Sequence, residues 1–530
     1  MSKCTSRLSF LLLAIATGVF FFSSCKKEVG SGQEEDERTG RAKNCDYNND
    51  MAEQELKDSV HYYTKLLSLW QDELLPRNIN DIDKKGALRK LTAPYCRAED
   101  VLEWLKGQTH KTVTGRPVDR FSFLDREGVI SDELEDGVTT DFGMYVFYLQ
   151  TSENESAHLY VRMVERNSPA YHGGIKRGAK IISLNGHSNI DYDSQEQENF
   201  RTVDDALSSS KLTIEFQNQG EEIRQAEILA SQYDMDPVLK DTIFNTDQKK
   251  VGYLAYNSFI SVGNREAPGA KGTQLKSIFD GYAQQGVDDL IIDLRYNGGG
   301  SVVTAEFIAD HIAPNTADKK LMYKYSINRV LENEGWNKEG DIFEDVYFKK
   351  KGSLNLPRVY FLVSKSSASA SELLINVLEP YMDVYLVGSY GSDGYGGMEK
   401  QNTYGKPVGF FPYPVNAPGQ PSNDLYVVSF QMTNAIGKSD YFNGLVPDFH
   451  AYEGYLNDFG DSDEGLIEAA LSHIHSGSFP VAKTMLRAQR GVSGRSSGVI
   501  QRDINLDKRN NDMYKFNNSG NKSPKNFKLR

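Results

Sequence analysis

The sequence predicts a multidomain α+β protein with a small amino-terminal helical domain, a β-rich domain and an α/β domain, in that order. Apolar residues recur at helical spacing near the amino terminus, and β-rich runs dominate the next part of the chain. Strand and helix patterns then alternate, which is typical of an α/β layer structure. A chain of 530 residues is also too long for one hydrophobic core. The predicted domains span residues 51–135, 139–231 and 250–475.

The amino terminus has the pattern of an export signal. Basic residues precede an apolar run from Leu8 to Phe22, which is too short for a comfortable membrane span. The following Ser23-Ser24-Cys25 resembles a bacterial lipobox, whose cysteine is acylated and becomes the first residue. We therefore expect a lipoprotein signal peptide over residues 1–24, lipidation at Cys25 and a flexible polar tether over 25–50. The alternative is an ordinary signal peptide that is cut elsewhere.

This resemblance implies a lipid-anchored protein of the bacterial cell envelope, on either the periplasmic or the surface face. The net charge of −13 argues against nucleic acid as a partner. The carboxyl-terminal tail, residues 476–530, is basic instead, and we expect it to be disordered, with a role at an anionic surface as the alternative. The cysteines form no CxxC pair and the histidines show no metal-ligand spacing, so we expect no metal and no cofactor. Cys45 and Cys96 could pair in an oxidising compartment.

The helical domain is predicted from one apolar face that includes Tyr63, Leu66, Leu67 and Trp70. The β-rich domain begins with apolar runs at 144–149 and 158–161.

Three short segments follow these runs: Ser168-Pro169-Ala170, Gly173-Gly174-Ile175 and a strand that ends in Asn185-Gly186. This series resembles a PDZ domain. The resemblance places Asp141-Phe142-Gly143 at the carboxylate-binding loop, so Phe142 and Gly143 are the expected peptide-binding residues. The usual loop has a Gly-Leu-Gly-Phe character, from which this sequence departs. The alternative is a packing domain that binds nothing.

Two turns in the α/β domain have the composition of a chemical site. The segment Val363–Glu372 runs from a buried strand through several serines into a helix, whose first amides favour a developing oxyanion. The residues alone do not select one serine, and a helix cap explains the segment equally well. The segment Leu290–Gly300 is a second buried strand that ends in three glycines. No phosphate-binding pattern accompanies them, so an amide pair for an oxyanion fits better.

Together these turns resemble peptidase family S41, the carboxyl-terminal processing or tail-specific peptidases. That resemblance implies that Ser369 is the nucleophile and that the stretch from Asp293 to Gly299 supplies part of the oxyanion hole. We assign Gly299 and Ala370 to the hole, with Gly298 as the alternative. Gly444-Leu445-Val446-Pro447-Asp448 resembles another turn of the family. The implied fold is an α/β protease core of the ClpP/crotonase architecture.

The position of the base departs from the family pattern. The family's lysine usually follows the serine by about 25 positions, and Gly394 stands there in this chain. The later Thr403-Tyr404-Gly405-Lys406 resembles the family's lysine turn, which makes Lys406 the expected base and Lys400 the fallback. Burial disfavours the charged form of a lysine, so a buried lysine can accept the serine proton.

Glu372, one helical turn after Ser369, resembles the third member of the site and could orient the lysine. The alternative is a glutamate on the helix surface. His450 follows Asp448 closely enough for a Ser-His-Asp arrangement, but a structural histidine is the better interpretation.

The resulting hypothesis is a serine endopeptidase that cleaves polypeptides through a Ser-Lys dyad and an acyl-enzyme intermediate, while the PDZ-like domain engages the substrate. The alternative is a catalytically inactive peptide-binding lipoprotein on the same scaffold. An esterase fits less well because the chain has no GxSxG motif. The sequence does not predict an oligomeric state.

Overall fold

The computed structural model describes residues 50–480 except 83–84, 113–114, 127–132, 134–136, 152–154, 247–248, 393–397 and 416–422, and also 35–36, 41–42, 499–505 and 513–514. Cys25 and the predicted signal peptide lie outside these residues. Strands β1 (Glu35–Asp36) and β2 (Arg41–Ala42) form an antiparallel pair. Within the described part of the chain, no helix is both long and apolar enough to cross a bilayer.

The amino-terminal region is helical, as the apolar spacing predicts. Its helices are α1 (Met51–Leu67), α2 (Lys85–Thr92) and α3 (Ala98–Lys106). The Asp50 carboxylate caps α1 by accepting a hydrogen bond of 2.9 Å from the Ala52 amide. Buried side chains such as Val60 and Leu102 belong to the same apolar core as the α/β domain, so this region packs on that domain. Cys96 is disulfide-bonded. Cys45, with which the sequence suggested a pair, lies outside the described residues.

The β-rich domain is built on one six-stranded sheet in the order β23-β5-β6-β7-β8-β9, with antiparallel neighbours. Its own strands and helices are β5 (Met144–Gln150), β6 (His158–Val164), α4 (Pro169–His172), β7 (Lys180–Leu184), α5 (Tyr192–Glu196), α6 (Arg201–Leu207), β8 (Lys211–Gln217) and β9 (Arg224–Leu229). A separate pair, β4 (Val138–Asp141) and β10 (Ser231–Asp234), joins the two ends of the domain. The sheet and α6 enclose one apolar core.

The edge strand β23 (Val499–Asp503) comes from the tail, for which the sequence predicts disorder. The tail residues are ordered here because the edge of β5 supplies main-chain hydrogen-bond partners. The composition of the tail does not reveal these partners.

The α/β domain contains a seven-stranded sheet in which β12, β13, β17 and β18 run parallel. Its elements are β11 (Val238–Asn245), β12 (Lys250–Tyr256), α7 (Ala270–Gln285), β13 (Asp289–Asp293), α8 (Val302–Ile312), β17 (Arg358–Val363), α10 (Ala370–Leu378), β18 (Asp383–Ser392), β19 (Met398–Lys400), β22 (Phe449–Ala451) and α11 (Gly465–Ser476). Side chains alternate between two cores: Leu290 and Ile292 face one, and Ile291 faces the other beneath α11. The predicted α/β layers are therefore present.

A second seven-stranded sheet lies beside the first. Its elements are β3 (Phe123–Asp125), β14 (Gly300–Ser301), β15 (Leu321–Ile327), α9 (Arg329–Asn333), β16 (Val346–Tyr347), β20 (Val408–Pro414), β21 (Asp424–Asn434) and β24 (Met513–Tyr514), where α9 follows β15. Strand β3 comes from the amino-terminal region, and β24 comes from the tail. The sheet thus brings chain segments from both ends of the protein to the α/β domain.

Candidate active site

The two turns singled out in the sequence meet at one edge of the parallel sheet. Strands β13 and β17 are hydrogen-bonded parallel neighbours, so their carboxyl ends lie side by side. The turn after β17 is joined to the turn after β13 by a hydrogen bond of 3.1 Å from the Ala368 amide to the Asn297 carbonyl. The fold therefore places the serine-rich turn against the glycine-rich turn.

Three serine hydroxyls hold these turns together. Ser364 Oγ donates to the Arg295 carbonyl, Ser367 Oγ donates to the Leu294 carbonyl at 2.7 Å, and Ser371 Oγ donates to the Asn297 carbonyl at 3.0 Å. Each of these serines thus has a structural hydrogen bond. The sequence alone cannot reveal this, because the acceptors lie about 70 residues earlier in the chain.

Ser369 differs from these serines. Its side chain is fully buried, and its Oγ has no hydrogen-bond partner among the described residues. Its backbone has φ 62° and ψ −109°, a region that non-glycine residues rarely adopt. It also stands directly before the first residue of α10, where the helix amides lack partners within the helix. Ser369 therefore sits on a strained strand-to-helix turn with a hydroxyl that the fold does not use.

Glu372 lies inside the site and not on the helix surface, so the surface alternative is excluded. Its side chain is fully buried and accepts four hydrogen bonds. Oε2 accepts from the amides of Ser369 (2.9 Å) and Lys406 (2.8 Å). Oε1 accepts from the Gly405 amide (2.8 Å) and from the Thr403 hydroxyl. One carboxylate thus holds the serine turn and the lysine turn together.

Burial raises the pKa of the Glu372 carboxyl, and the hydrogen bonds that it accepts act in the opposite direction.

The two candidate lysines have different environments. Lys406 is 1% exposed, and its Nζ lies 4.1 Å from the ring centroid of Phe410 and 4.8 Å from that of Phe121. Lys400 is exposed on β19. Since only Lys406 is buried and lies on the turn that Glu372 holds, the geometry favours it over the fallback.

The glycine-rich turn is held by its own asparagine. Asn297 Oδ1 accepts the Gly299 amide at 2.9 Å, and the Gly299 carbonyl accepts the Phe259 amide at 2.8 Å. A side chain at Gly300 would approach the Phe259 carbonyl oxygen to 2.4 Å, so only glycine fits there. The Gly299 amide already donates to Asn297, so it is a poorer candidate for the oxyanion hole than the Ala370 amide. This favours the alternative donor, Gly298.

Asp293 and Arg295 of the same turn form a buried ion cluster. The Arg295 guanidinium donates to Asp293 Oδ2 at 2.7 Å and to Glu464 Oε2 at 2.8 Å. Arg177 of the β-rich domain reaches the next residue, donating to the Tyr296 hydroxyl at 2.9 Å. These contacts hold the glycine-rich turn in place, so we assign Asp293 and Arg295 a structural role.

The Gly444–Asp448 segment supports the lysine turn. A side chain at Gly444 would come within 2.1 Å of the Thr403 carbonyl oxygen, and the Leu445 amide donates to Thr403 Oγ1 at 2.7 Å. His450 Nε2 lies 2.9 Å from the Gln401 carbonyl, and burial lowers the pKa of its imidazole. His450 therefore has a structural partner, consistent with the structural interpretation. The described residues contain no cluster of histidine, cysteine, aspartate or glutamate that could hold a metal ion.

The predicted peptide-binding residues lie at the start of β5. Phe142 is buried, and its carbonyl accepts the Ala170 amide at 3.0 Å. The Gly143 amide donates to Asp141 Oδ1 at 2.6 Å. This loop amide is therefore occupied by a carboxylate of the chain itself.

Several residues of the site were not predicted from the sequence. Thr403 and Asn297 bind main-chain and carboxylate atoms of the two turns, and Phe121 and Phe410 flank the lysine. Thr403 lies in the predicted lysine turn and Asn297 lies in the predicted glycine-rich turn. A polar side chain inside such a turn is a signal for a hydrogen bond that holds the turn. Phe121 carries no such signal, because it reaches the site from the amino-terminal region.

The site lies in a segment with a clear family relationship: residues 250–448 match Peptidase family S41. The matched segment covers less than half of the chain and contains both the candidate nucleophile Ser369 and Lys406.

Two curated proteins are similar to part of this chain. A carboxyl-terminal-processing protease of Synechocystis sp. is 26% identical over 253 residues, which are 47% of this chain and 53% of that protein. Carboxyl-terminal-processing peptidase 3, chloroplastic, of Arabidopsis thaliana is 22% identical over 308 residues, which are 57% of this chain and 52% of that protein. The chain spans about half the length of the curated relatives it matches.

A solved structure covers more of the chain. A protein of Bacteroides fragilis whose structure is described as that of an S41 protease has a TM-score of 0.57 and 24% identity, covering 79% of this chain and 97% of that one. At this identity the likeness shows the fold. The chain therefore has a mixed α/β multidomain fold similar to an S41 protease structure.

Proposed function

We propose that the chain is a serine endopeptidase that cleaves polypeptides through an acyl-enzyme intermediate. Ser369 is the nucleophile, Lys406 is its general base, and Glu372 is a positioning residue that holds both turns. The observation that carries this proposal is the state of the serine hydroxyls. Ser364, Ser367 and Ser371 donate to backbone carbonyls. Of the two other serines of the turn, Ser366 and Ser369, only Ser369 directly precedes α10, and its buried Oγ has no hydrogen-bond partner among the described residues.

The proposed reaction begins with proton transfer. In the proposed step Lys406, which is 1% exposed and lies against the rings of Phe121 and Phe410, accepts the Ser369 proton as a neutral amine. Ser369 Oγ then attacks the peptide carbonyl. Collapse of the tetrahedral intermediate releases the new amine with the proton from Lys406, and water later hydrolyses the ester.

Two backbone amides stabilise the oxyanion in this proposal. Ala370 is the first residue of α10, where the amides have no partner within the helix and the helix dipole favours negative charge. The second donor comes from the glycine-rich turn. Gly298 is preferred to Gly299, since the Gly299 amide donates to Asn297.

We further propose that the β-rich domain is a PDZ-like module that engages the polypeptide substrate. In support, α4 follows a capping serine, with the Tyr171 amide donating to Ser168 Oγ at 3.1 Å, and a left-handed Asn185-Gly186 turn ends β7. The edge of β5 that β23 lines in this structure is the place where an extended peptide would form main-chain hydrogen bonds.

The decisive experiment is hydrolysis of an unfolded protein by the purified chain and by three variants. We expect Ser369→Ala and Lys406→Ala to lower kcat by at least a thousandfold, while Lys400→Ala, an equally charged but exposed control, retains activity. Thermal unfolding followed by circular dichroism checks that each variant is folded. Hydrolysis that survives Ser369→Ala would remove the basis of the assignment.

A second candidate function is peptide binding without catalysis. It is favoured by the complete burial of Ser369 and by the lack of a hydrogen bond to its Oγ within the described structure. Peptide binding by a wild-type chain that hydrolyses no substrate would establish this alternative.

We also propose that Cys25 carries a lipid that anchors the chain to a membrane of the bacterial envelope. The support is the lipobox-like sequence. Metabolic labelling with a fatty acid tests it: the label should be lost in Cys25→Ala and retained in Cys4→Ala.

A further inference from the structure

The tail strand β23 pairs with β5 and forms the end strand of the six-stranded sheet. It runs antiparallel to β5, with Val499 opposite Gln150 and Asp503 opposite Phe147. The pairing continues beyond the strand, because the Ile504 amide donates to the Val146 carbonyl at 3.2 Å. This is the main-chain pattern by which an extended peptide adds to a sheet edge.

Side chains of the tail fill the surface next to that edge. We call the edge of β5 together with Phe142, Phe200 and Val203 the β5 groove. Ile504 is 7% exposed and belongs to the apolar core that these three residues line. The guanidinium of Arg502 lies 3.8 Å from the ring centroid of Phe200. The groove therefore buries the aliphatic side chain of Ile504 and forms a cation-π contact with Arg502.

Polar contacts fix the register of the tail in the groove. Asn505 uses both ends of its amide: Oδ1 accepts the Val146 amide and Nδ2 donates to the Met144 carbonyl, each at 2.9 Å. Asp503 Oδ2 accepts from the nearly buried Arg162 guanidinium at 2.5 Å. The Asp503–Arg162 ion pair and the two hydrogen bonds of the Asn505 amide therefore hold the tail in one register on β5.

The end of the groove is unsuited to a free chain terminus. The Gly143 amide donates to Asp141 Oδ1, and the Tyr233 hydroxyl joins Asp141 (2.9 Å) to Glu165 (3.1 Å). A carboxylate at the end of a bound peptide would meet these carboxylates. The neutral amide of Asn505 lies at this end instead, and the chain continues past it.

The same tail reaches the candidate active site. Strand β24 pairs in parallel with β14, with Met513 opposite Gly300, and Tyr514 lies opposite Phe410 of β20. Gly300 follows the glycine-rich turn, and the Phe410 ring contacts Lys406. Strand β24 thus lies between β14, which follows the glycine-rich turn, and β20, which follows the lysine turn.

We propose that residues 499–505 are an intramolecular ligand of the β5 groove, and that this groove binds an internal extended segment. The bound tail, together with β24, keeps the candidate active site closed to substrates. Only the effect on hydrolysis rests on the proposed peptidase function. A polypeptide that competes for the groove displaces the tail and opens the site.

The direct test measures access to the groove. A fluorescent peptide with the sequence of residues 499–505 is titrated into the full chain carrying Ser369→Ala, so that catalysis does not interfere. Adding Ile504→Asp should tighten peptide binding at least tenfold, because a tethered ligand competes at an effective concentration on the order of millimolar. Asn505→Ala should act in the same direction with a smaller effect.

The matched control is Ile223→Asp, the same substitution at a position of the same domain that is 58% exposed. It should leave peptide affinity unchanged. Equal affinity in all these proteins, or binding in none, overturns the proposal. A peptide that binds only with a free carboxylate and not as its amide overturns the internal-segment mode.

The hydrolysis test uses the chain with Ser369 intact. Ile504→Asp should raise the rate of unfolded-protein hydrolysis several-fold over wild type and over Ile223→Asp. Equal rates overturn the closing role of the tail. If Ile504→Asp opens the groove to the peptide and no protein hydrolyses the substrate, the peptidase proposal fails and the intramolecular ligand stands.

Discussion

Glu372→Gln tests whether one buried carboxylate assembles the site. The substitution keeps the shape of the side chain and replaces one acceptor oxygen with an NH2 group. In the best orientation, the amide oxygen keeps the amides of Ser369 and Lys406. The NH2 then faces the Thr403 hydroxyl, which can rotate to accept, and the Gly405 amide, which cannot.

The expected loss follows from these contacts. One buried amide without an acceptor costs about 1–3 kcal/mol, and the remaining hydrogen bonds lose about 1 kcal/mol of charge assistance. We therefore expect the free energy of unfolding to fall by about 2–4 kcal/mol. A displacement of the lysine turn by about 1 Å lowers catalysis by roughly a hundredfold, so kcat should fall by about that factor with KM nearly unchanged.

Urea unfolding and steady-state hydrolysis of an unfolded protein provide the two measurements. The control is Glu379→Gln, which breaks a surface pair with Lys438 (2.6 Å) worth about 0–1 kcal/mol. Equal stability of the two variants, or full kcat in Glu372→Gln, would refute the reasoning that this carboxylate holds both turns.

Three further predictions concern the scaffold. Burial lowers the pKa of His61 to about 4, so unfolding takes up a proton between pH 6.5 and 4, and stability falls as the pH decreases in this window. His61→Phe should therefore remove about 3 kcal/mol of the unfolding free energy that the wild type loses between pH 7 and pH 4, measured by urea unfolding at both pH values. Gly405→Ala should destabilise the chain more than Gly437→Ala, both at φ near +88°, because only the former meets a carbonyl oxygen at 2.5 Å; equal melting temperatures would contradict this. Arg295→Met leaves buried carboxylates unpaired and should cost about 3–5 kcal/mol of unfolding free energy, and a loss under 1 kcal/mol would disprove the role of the ion cluster.

Elements with strong local patterns could be predicted from the sequence. The helix predicted after the serine-rich turn is Ala370–Leu378, and the buried strand predicted before the three glycines is Asp289–Asp293. Buried parallel strands read as continuous apolar runs, and helices follow serine or glycine turns, so both signals are local. The tail strand was missed because its partner is not local.

The candidate site was predicted only in part for the same reason. The two turns and their residue types are visible in the sequence, but the choice of one serine is not. Ser364, Ser367 and Ser371 are excluded only by carbonyl oxygens of the neighbouring turn. The engaged Gly299 amide is likewise visible only once Asn297 is placed.

The sequence by itself determined the buried strands of the parallel sheet, the turns at their carboxyl ends and the motifs that carry serine, glycine and lysine. Only the tertiary structure decided that Lys406 is buried while Lys400 is exposed, that Glu372 faces inward, and that the tail lies in the β5 groove. Secondary structure follows from periodicity within a few residues, which a sequence displays directly. Burial and hydrogen-bond partners depend on residues tens to hundreds of positions away, and those contacts exist only in the folded chain.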